Sequence, residues 1–298
     1  MGMMIGGGIT APNLEGETGF KYGRGMEIRN AVAVVTGAGG GIGGAIARAL
    51  SAAGVRVVLT DLDSDAVART AEAITEAGGQ AIALAGDASD NAHIDDVLST
   101  AGEQFGPVDL YFANAGIGGA AGLDATDDDW DTVIDVNLMA HVRAARRLVP
   151  EWTERGRGYF ISTASAAGLL TQLGSATYSV TKHAAVGFAE WLSATYGDAG
   201  IRVSCLCPMG VDTKLLRPDH APDTDGGRLM QRAVETAGAV ITPEEVADLV
   251  LAAIADERFL VLPHPEVLEM YRQKGADYNR WLRGMRRYQA ALLAPQDA

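Results

Sequence analysis

The chain has 298 residues, 48% of them hydrophobic, which suffices for one large α/β domain. Its formal net charge of −14 argues against a nucleic-acid or anionic-membrane partner. No apolar run is long enough to span a bilayer, and the five histidines suggest no metal site.

Residues 1–25 carry Gly6-Gly7-Gly8 and mixed polar residues. With neither a basic start nor a long apolar core they do not read as a secretory signal, and a flexible leader outside the fold is expected. Ala31 to Val35 is a continuous apolar run, as a strand buried on both faces would be. It enters Thr36-Gly37-Ala38-Gly39-Gly40-Gly41-Ile42-Gly43, and a helix opens at Gly44. Strand, glycine turn and helix form the context of a dinucleotide fingerprint, because backbone N–H groups can approach a pyrophosphate there. A plain glycine turn is the simpler reading of the same residues.

Val55–Thr60 predicts a second buried strand ending at Asp61. An acid at this place can accept hydrogen bonds from both ribose hydroxyls of an adenosine and would repel a 2′-phosphate. No Arg or Lys follows directly to bind that phosphate, so NAD is favoured over NADP. Asp63 suits a helix cap. A helix over 65–77 stops at Gly78-Gly79, and Ala81–Ala85 is the third strand, followed by Gly86-Asp87-Ala88. A helix covers about 91–104. Val108–Phe112 is the fourth strand, with Asn114-Ala115-Gly116 at its end.

Thr126-Asp127-Asp128-Asp129 reads as a helix start rather than a metal site: Thr126 caps and the acids suit the N-terminus. That helix is expected to run on through Val142. Asn137 lies among its apolar residues as a structural tie or a site residue. The fifth strand, Gly158–Ser162, leads to Ser165. On the next helix Tyr178 and Lys182 are four apart and share a face. An ammonium beside a phenol is expected to lower the phenol's pKa, readying it for proton transfer. A lone Y-x-x-x-K pattern arises by chance in many helices, so its weight comes from the upstream motifs. His183 points to another face and reads as packing.

The sixth strand, Ile201–Cys207, ends at Pro208-Met209-Gly210-Val211-Asp212-Thr213. Cys205 and Cys207 are expected on opposite faces of it, unable to pair, as small buried residues of a reduced, cytoplasmic protein. Lys214–Ala239 is broken by Pro218, Pro222 and Gly226-Gly227 and is expected to be a lid with a short helix near 229–236. A helix opens at Thr242-Pro243, and Arg258–Leu262 is the last strand. Apolar residues at Tyr278, Trp281, Leu282, Met285, Tyr288 and Leu292 have helical spacing, with Arg280, Arg283, Arg286 and Arg287 on the other side.

Alternating strands and helices predict an α/β, Rossmann-like, doubly wound parallel sheet with helices on both faces. The expected division is a leader over 1–25, one domain over 26–263 and a helical extension over 264–298.

From Met26 to Leu262 the ordered motifs resemble the short-chain dehydrogenase/reductase family. The glycine turn (Gly37, Gly39, Gly41, Ile42, Gly43) matches its cofactor loop. Asp61, with Leu62 beside it, matches its NAD-selecting acid, and Asp87-Ala88 its adenine contact. Asn114-Ala115-Gly116 matches most of its N-N-A-G motif, with Ala113 in the first place. Asn137, Ser165, Tyr178 and Lys182 match its catalytic four. Pro208, Val211 and Thr213 fall where it contacts the nicotinamide amide, although Met209 replaces its usual glycine. The resemblance implies NAD as cofactor, a homo-oligomer (dimer or tetramer), and proton transfer by Tyr178. It also implies that Lys182 bonds the nicotinamide ribose and that Asn137 holds a relay water. Leu169, Leu170, Leu173, Gly118–Ala121, Met209, Leu215, Leu216, Leu229 and Met230 are expected to line an apolar substrate pocket. A hydrophobic secondary alcohol or its ketone is the expected substrate. Enoyl or imine reduction, NADP preference and a non-catalytic NAD-binding regulator are the competing readings.

Overall fold

The computed structural model describes residues 26–119, 122–216 and 225–294. The expected leader therefore lies outside the described residues, as do Ala120, Ala121 and the 217–224 part of the expected lid.

The first strand, β1 (Val32–Thr36), is buried along its whole length. The glycine turn follows, then α1 (Gly41–Ala52), β2 (Arg56–Asp61), α2 (Ser64–Glu76) and β3 (Ala81–Ala85). After α3 (Asn91–Gln104) and β4 (Leu110–Ala113) come α4 (Asp127–Ile134), α5 (Ala140–Arg155) and β5 (Gly158–Thr163). A short α6 (Ala167–Leu170), the long α7 (Ala176–Tyr196) and β6 (Ile201–Leu206) complete this half. The remaining elements are β7 (Gly210–Val211), α8 (Asp225–Ala237), β8 (Val240–Ile241), α9 (Pro243–Ala255), β9 (Leu260–Val261), α10 (Glu266–Ala276) and α11 (Tyr278–Leu293).

Seven strands form one parallel sheet in the order β3-β2-β1-β4-β5-β6-β9, as the doubly wound reading expected. Apolar layers cover both faces. One joins alternate residues of β1, β2, β4 and β5 to α1, α2 and α9; the other joins the intervening residues to α3, α5 and α7. Trp152 is wholly buried in the second layer, and its indole N–H donates to Val108 O. The chain reverses its winding direction between β1 and β4, and a cleft opens at the carboxyl ends of those strands, where ligands collect in such sheets.

Local signals held at several element ends. Thr126 and Asp129 form a reciprocal capping box on α4, and Thr242 and Glu245 form another on α9. Other expectations are corrected. Cys205 and Cys207 share a face, because side chains two apart on an extended chain point the same way; their Sγ atoms are 3.8 Å apart and the thiols are free. The helix expected to run through Val142 is interrupted by a π-turn over Asp135–Met139 that contains Asn137. α10 and the two-stranded β7–β8 pairing were not foreseen. No helix among the described residues is long and apolar enough to cross a membrane.

Candidate active site

A cleft of about 400 Å³ runs from the glycine turn past Asp61 to Ser165, Tyr178 and Lys182. Its cofactor end is shaped by absent side chains. Gly37 has φ 65°, and a Cβ on Gly43 would lie 2.2 Å from Gly37 O. A Cβ on Gly39 would lie 2.9 Å from the Asp61 carboxylate. Asp61 holds the turn in place: its Oδ2 accepts Gly39 N–H at 2.8 Å and its Oδ1 accepts Asp63 N–H at 3.0 Å. Asn114 ties β4 to the same turn, donating from Nδ2 to Thr36 O at 3.0 Å. The Thr36 hydroxyl accepts the N–H groups of Asn114 and Ala115, each at 2.9 Å. Gly43→Ala should therefore destabilise the fold by about 3 kcal/mol, as overpacking does, whereas a Cβ on Gly40 meets no atom within 4 Å. Denaturant unfolding of Gly43→Ala beside Gly40→Ala checks this.

Gly41, Ile42, Ala115, Gly116, Pro208, Val211 and Thr213 also border the cleft. Leu62, Asp87 and Ala88 do not. Leu62 points to solvent at 72% exposure, and Asp87 Oδ1 is taken up by the N–H and hydroxyl of Ser89.

The four polar residues of the reacting end come from three elements. Ser165 follows β5; its Oγ accepts Ala167 N–H at 3.1 Å and donates to Pro208 O at 3.4 Å. Tyr178 stands in the first turn of α7, where Ser175 caps the helix. Lys182, one turn on, is 3% exposed and donates to Thr163 O at 2.9 Å. Asn137 is wholly buried in the π-turn, a distortion often found at functional sites. Its Oδ1 accepts Ile117 N–H at 2.9 Å, and its Nδ2 donates to Ile117 O and Thr181 Oγ1. Asn137 and Lys182 meet beside Gly116, where a Cβ would lie 3.2 Å from both Asn137 Oδ1 and Lys182 Nζ.

The electrostatics differ from expectation. Burial raises the Tyr178 phenol above its ordinary value, and a hydrogen bond with Ser165 only partly offsets this. The Lys182 ammonium lies 5.7 Å from the centre of the Tyr178 ring and points to Thr163 O. Burial pushes Lys182 itself down to about 8. Burial, and not the Lys182 pairing that spacing alone suggested, therefore sets the direction for the phenol. As the site stands, Tyr178 holds its proton.

The substrate end also departs from expectation in part. Met209, Leu215, Leu216 and Met230 border the cleft, joined by Gln172 and Val234, which were not foreseen. Leu169 and Leu170 do not border it: both are buried in the core, because α6 turns its apolar side under α7. Leu173 faces a separate groove beside α11. Leu229 is buried outside the cleft lining. His183 is more than packing, since Nδ1 bonds Ser179 O and Nε2 meets the buried Lys274 Nζ at 3.2 Å. Gln172 carries no sequence pattern that marks it, and its bond to Met230 O, 58 residues away, accompanies its place at the cleft.

Comparison with known proteins fits this arrangement. The short chain dehydrogenase family model matches residues 31–223. A 1-deoxy-11-beta-hydroxypentalenate dehydrogenase of Streptomyces exfoliatus is 36% identical over 81% of this chain and 86% of its own. A meso-2,3-butanediol dehydrogenase of Serratia marcescens is 31% identical over 78% and 90%. A short chain dehydrogenase/reductase from Burkholderia phymatum, solved in complex with NAD, superposes with a TM-score of 0.77 at 32% identity. That match covers 85% of this chain and 96% of the other. With its glycine turn, its parallel sheet and this breadth of likeness, the chain belongs to the short-chain dehydrogenase/reductase family of oxidoreductases.

Proposed function

We propose that the protein is an NAD-dependent oxidoreductase that interconverts a hydrophobic secondary alcohol and its ketone. One observation carries this reading: a single cleft joins an acid-anchored glycine turn to Ser165, Tyr178 and Lys182, with apolar residues beyond them. The glycine turn and Asp61 fit a dinucleotide: both line the cleft, and a side chain at Gly39 or Gly43 would collide with Asp61 or with the turn's own backbone and disrupt its shape. NAD, when bound, supplies the hydride acceptor or donor.

The chain's own residues handle the proton. Ser165 and Tyr178 converge on one point of the cleft wall, where a substrate oxygen would accept from one hydroxyl and meet the other. In reduction, the protonated Tyr178 donates to the oxygen as negative charge develops on it. In oxidation, Tyr178 receives the hydroxyl proton after releasing its own, and the charge on Lys182 lowers the cost of the tyrosinate. Asn137 holds the Gly116–Ile117 turn against Lys182. Lys182 is held ready to bond the nicotinamide ribose.

The pentalenate and butanediol relatives are named for alcohol oxidation, which supports the direction of the proposal. The apolar Met209, Leu215, Leu216, Met230 and Val234 support a hydrophobic substrate. The test is NADH formation from a series of secondary alcohols, graded from small polar to large apolar, with NAD and with NADP. Turnover with NAD on the apolar members is expected; silence with every alcohol and, in reverse, every ketone would leave the non-catalytic NAD-binding reading.

Asp61→Asn keeps the shape and removes the charge. It should lower the preference for NAD over NADP at least about tenfold, because like-charge contacts cost several kcal/mol. The ratio of kcat/KM for the two cofactors measures it.

A further inference from the structure

The segment beyond residue 223 lies outside the match to the family model, yet it builds one wall of the cleft. α8 turns Met230 and Val234, one turn apart, into the cleft. Its inner side is seated closely. A Cβ on Gly174 would lie 2.3 Å from Gly226 O, and Gln172 Nε2 donates to Met230 O at 3.3 Å. Its far side is gripped by α11. Tyr288 Oη donates to Ala233 O at 2.9 Å and lies 2.6 Å from Thr236 Oγ1. Arg232 Nη1 donates to Leu292 O at 3.1 Å. α11 in turn rests Trp281 on the core.

We propose that Tyr288 is a positioning residue that sets substrate size by fixing α8, and so Met230 and Val234, at the apolar end of the cleft. The inference rests on the alcohol–ketone reading above and deepens it: the substrate is a bulky apolar secondary alcohol whose end remote from the carbinol packs on Met230 and Val234. A small alcohol, held at Ser165 and Tyr178 alone, does not reach this wall. The Tyr288 hydroxyl bonds main-chain and side-chain atoms of the last turns of α8, so its removal frees that wall without touching the reacting groups.

Tyr288→Phe removes only the hydroxyl. Thr236→Val removes one of its two partners, leaving the bond to Ala233 O, with little change of shape. In either variant KM for a bulky apolar alcohol should rise about five- to tenfold, the scale of one lost hydrogen bond. KM for NAD and for a small alcohol should stay within about twofold, as should kcat. The double variant should match Tyr288→Phe, since losing the Tyr288 hydroxyl already removes the contact that Thr236→Val removes. Amide hydrogen exchange over 226–237, in the absence of any substrate, should quicken about tenfold in Tyr288→Phe. Equal shifts in KM for small and bulky alcohols, or unchanged exchange over 226–237, would overturn the proposal. The exchange arm needs no turnover. Loss of the alcohol–ketone reading would appear as a wild-type protein silent with every substrate, while exchange still decides whether Tyr288 holds α8.

Discussion

Replacing Tyr178 with phenylalanine should lower turnover by about 10²- to 10⁴-fold, the usual worth of a positioned acid–base group. The substitution keeps the ring that fills the first turn of α7 and removes only the proton-carrying oxygen. NAD affinity should stay within about twofold, because Asp61 and the glycine turn are untouched. The pairing of these two results is what distinguishes a chemical role from a packing role. Saturating kinetics beside direct NAD titration measures both. Unaltered turnover would remove Tyr178 from the reaction, and a parallel loss of NAD affinity would make it a binding residue instead.

Lys182→Met should abolish most turnover and yet stabilise the ligand-free protein at pH 7. Burial pushes Lys182 from its ordinary 10.5 to about 8. A shift of this size corresponds to roughly 3 kcal/mol held against folding while the amine is charged. The hydrogen bond to Thr163 O returns about 1 kcal/mol of that and is lost in the variant. A net gain of roughly 2 kcal/mol is therefore expected. The sign follows from proton uptake. Between about 8 and 10.5 the unfolded lysine binds a proton that the folded one has shed, so wild-type stability rises with pH across that window. Below about 8 the full penalty applies. The advantage of Lys182→Met should thus be greatest at pH 7 and shrink as pH climbs through the window. Denaturant unfolding at several pH values tests this, and a variant less stable than wild type at pH 7 would show that the ammonium is net stabilising. A residue that costs stability and serves the reaction is what active sites commonly contain.

Much of the scaffold was legible because its signals are short-range. The unbroken apolar run of β1 announces a strand covered on both faces, and its glycine turn can be read within eight residues. The capping boxes at Thr126 and Thr242 are satisfied within one turn. Tyr178 and Lys182 share a helical face at a separation of four, whatever surrounds them. Leu169 and Leu173 show where this runs out. They are alike in kind and four apart, yet one is core and the other faces the groove beside α11. Nothing within either neighbourhood sets that difference.

The sequence by itself determined most of the order of strands and helices, the glycine turn and the spacing of Tyr178 and Lys182, since each depends on neighbours a few residues away. Only the tertiary structure decided the charge state of the site and the wall that faces the substrate. Burial sets the direction at Tyr178 because distant elements exclude water from it. Asn137 reaches Ile117 and Thr181 through a π-turn that no pattern announced. α8 is held by Tyr288, 52 residues beyond Thr236 in the chain. Desolvation and contacts between remote segments exist only once the chain has closed on itself, and they set where the protons reside and how much room the substrate has.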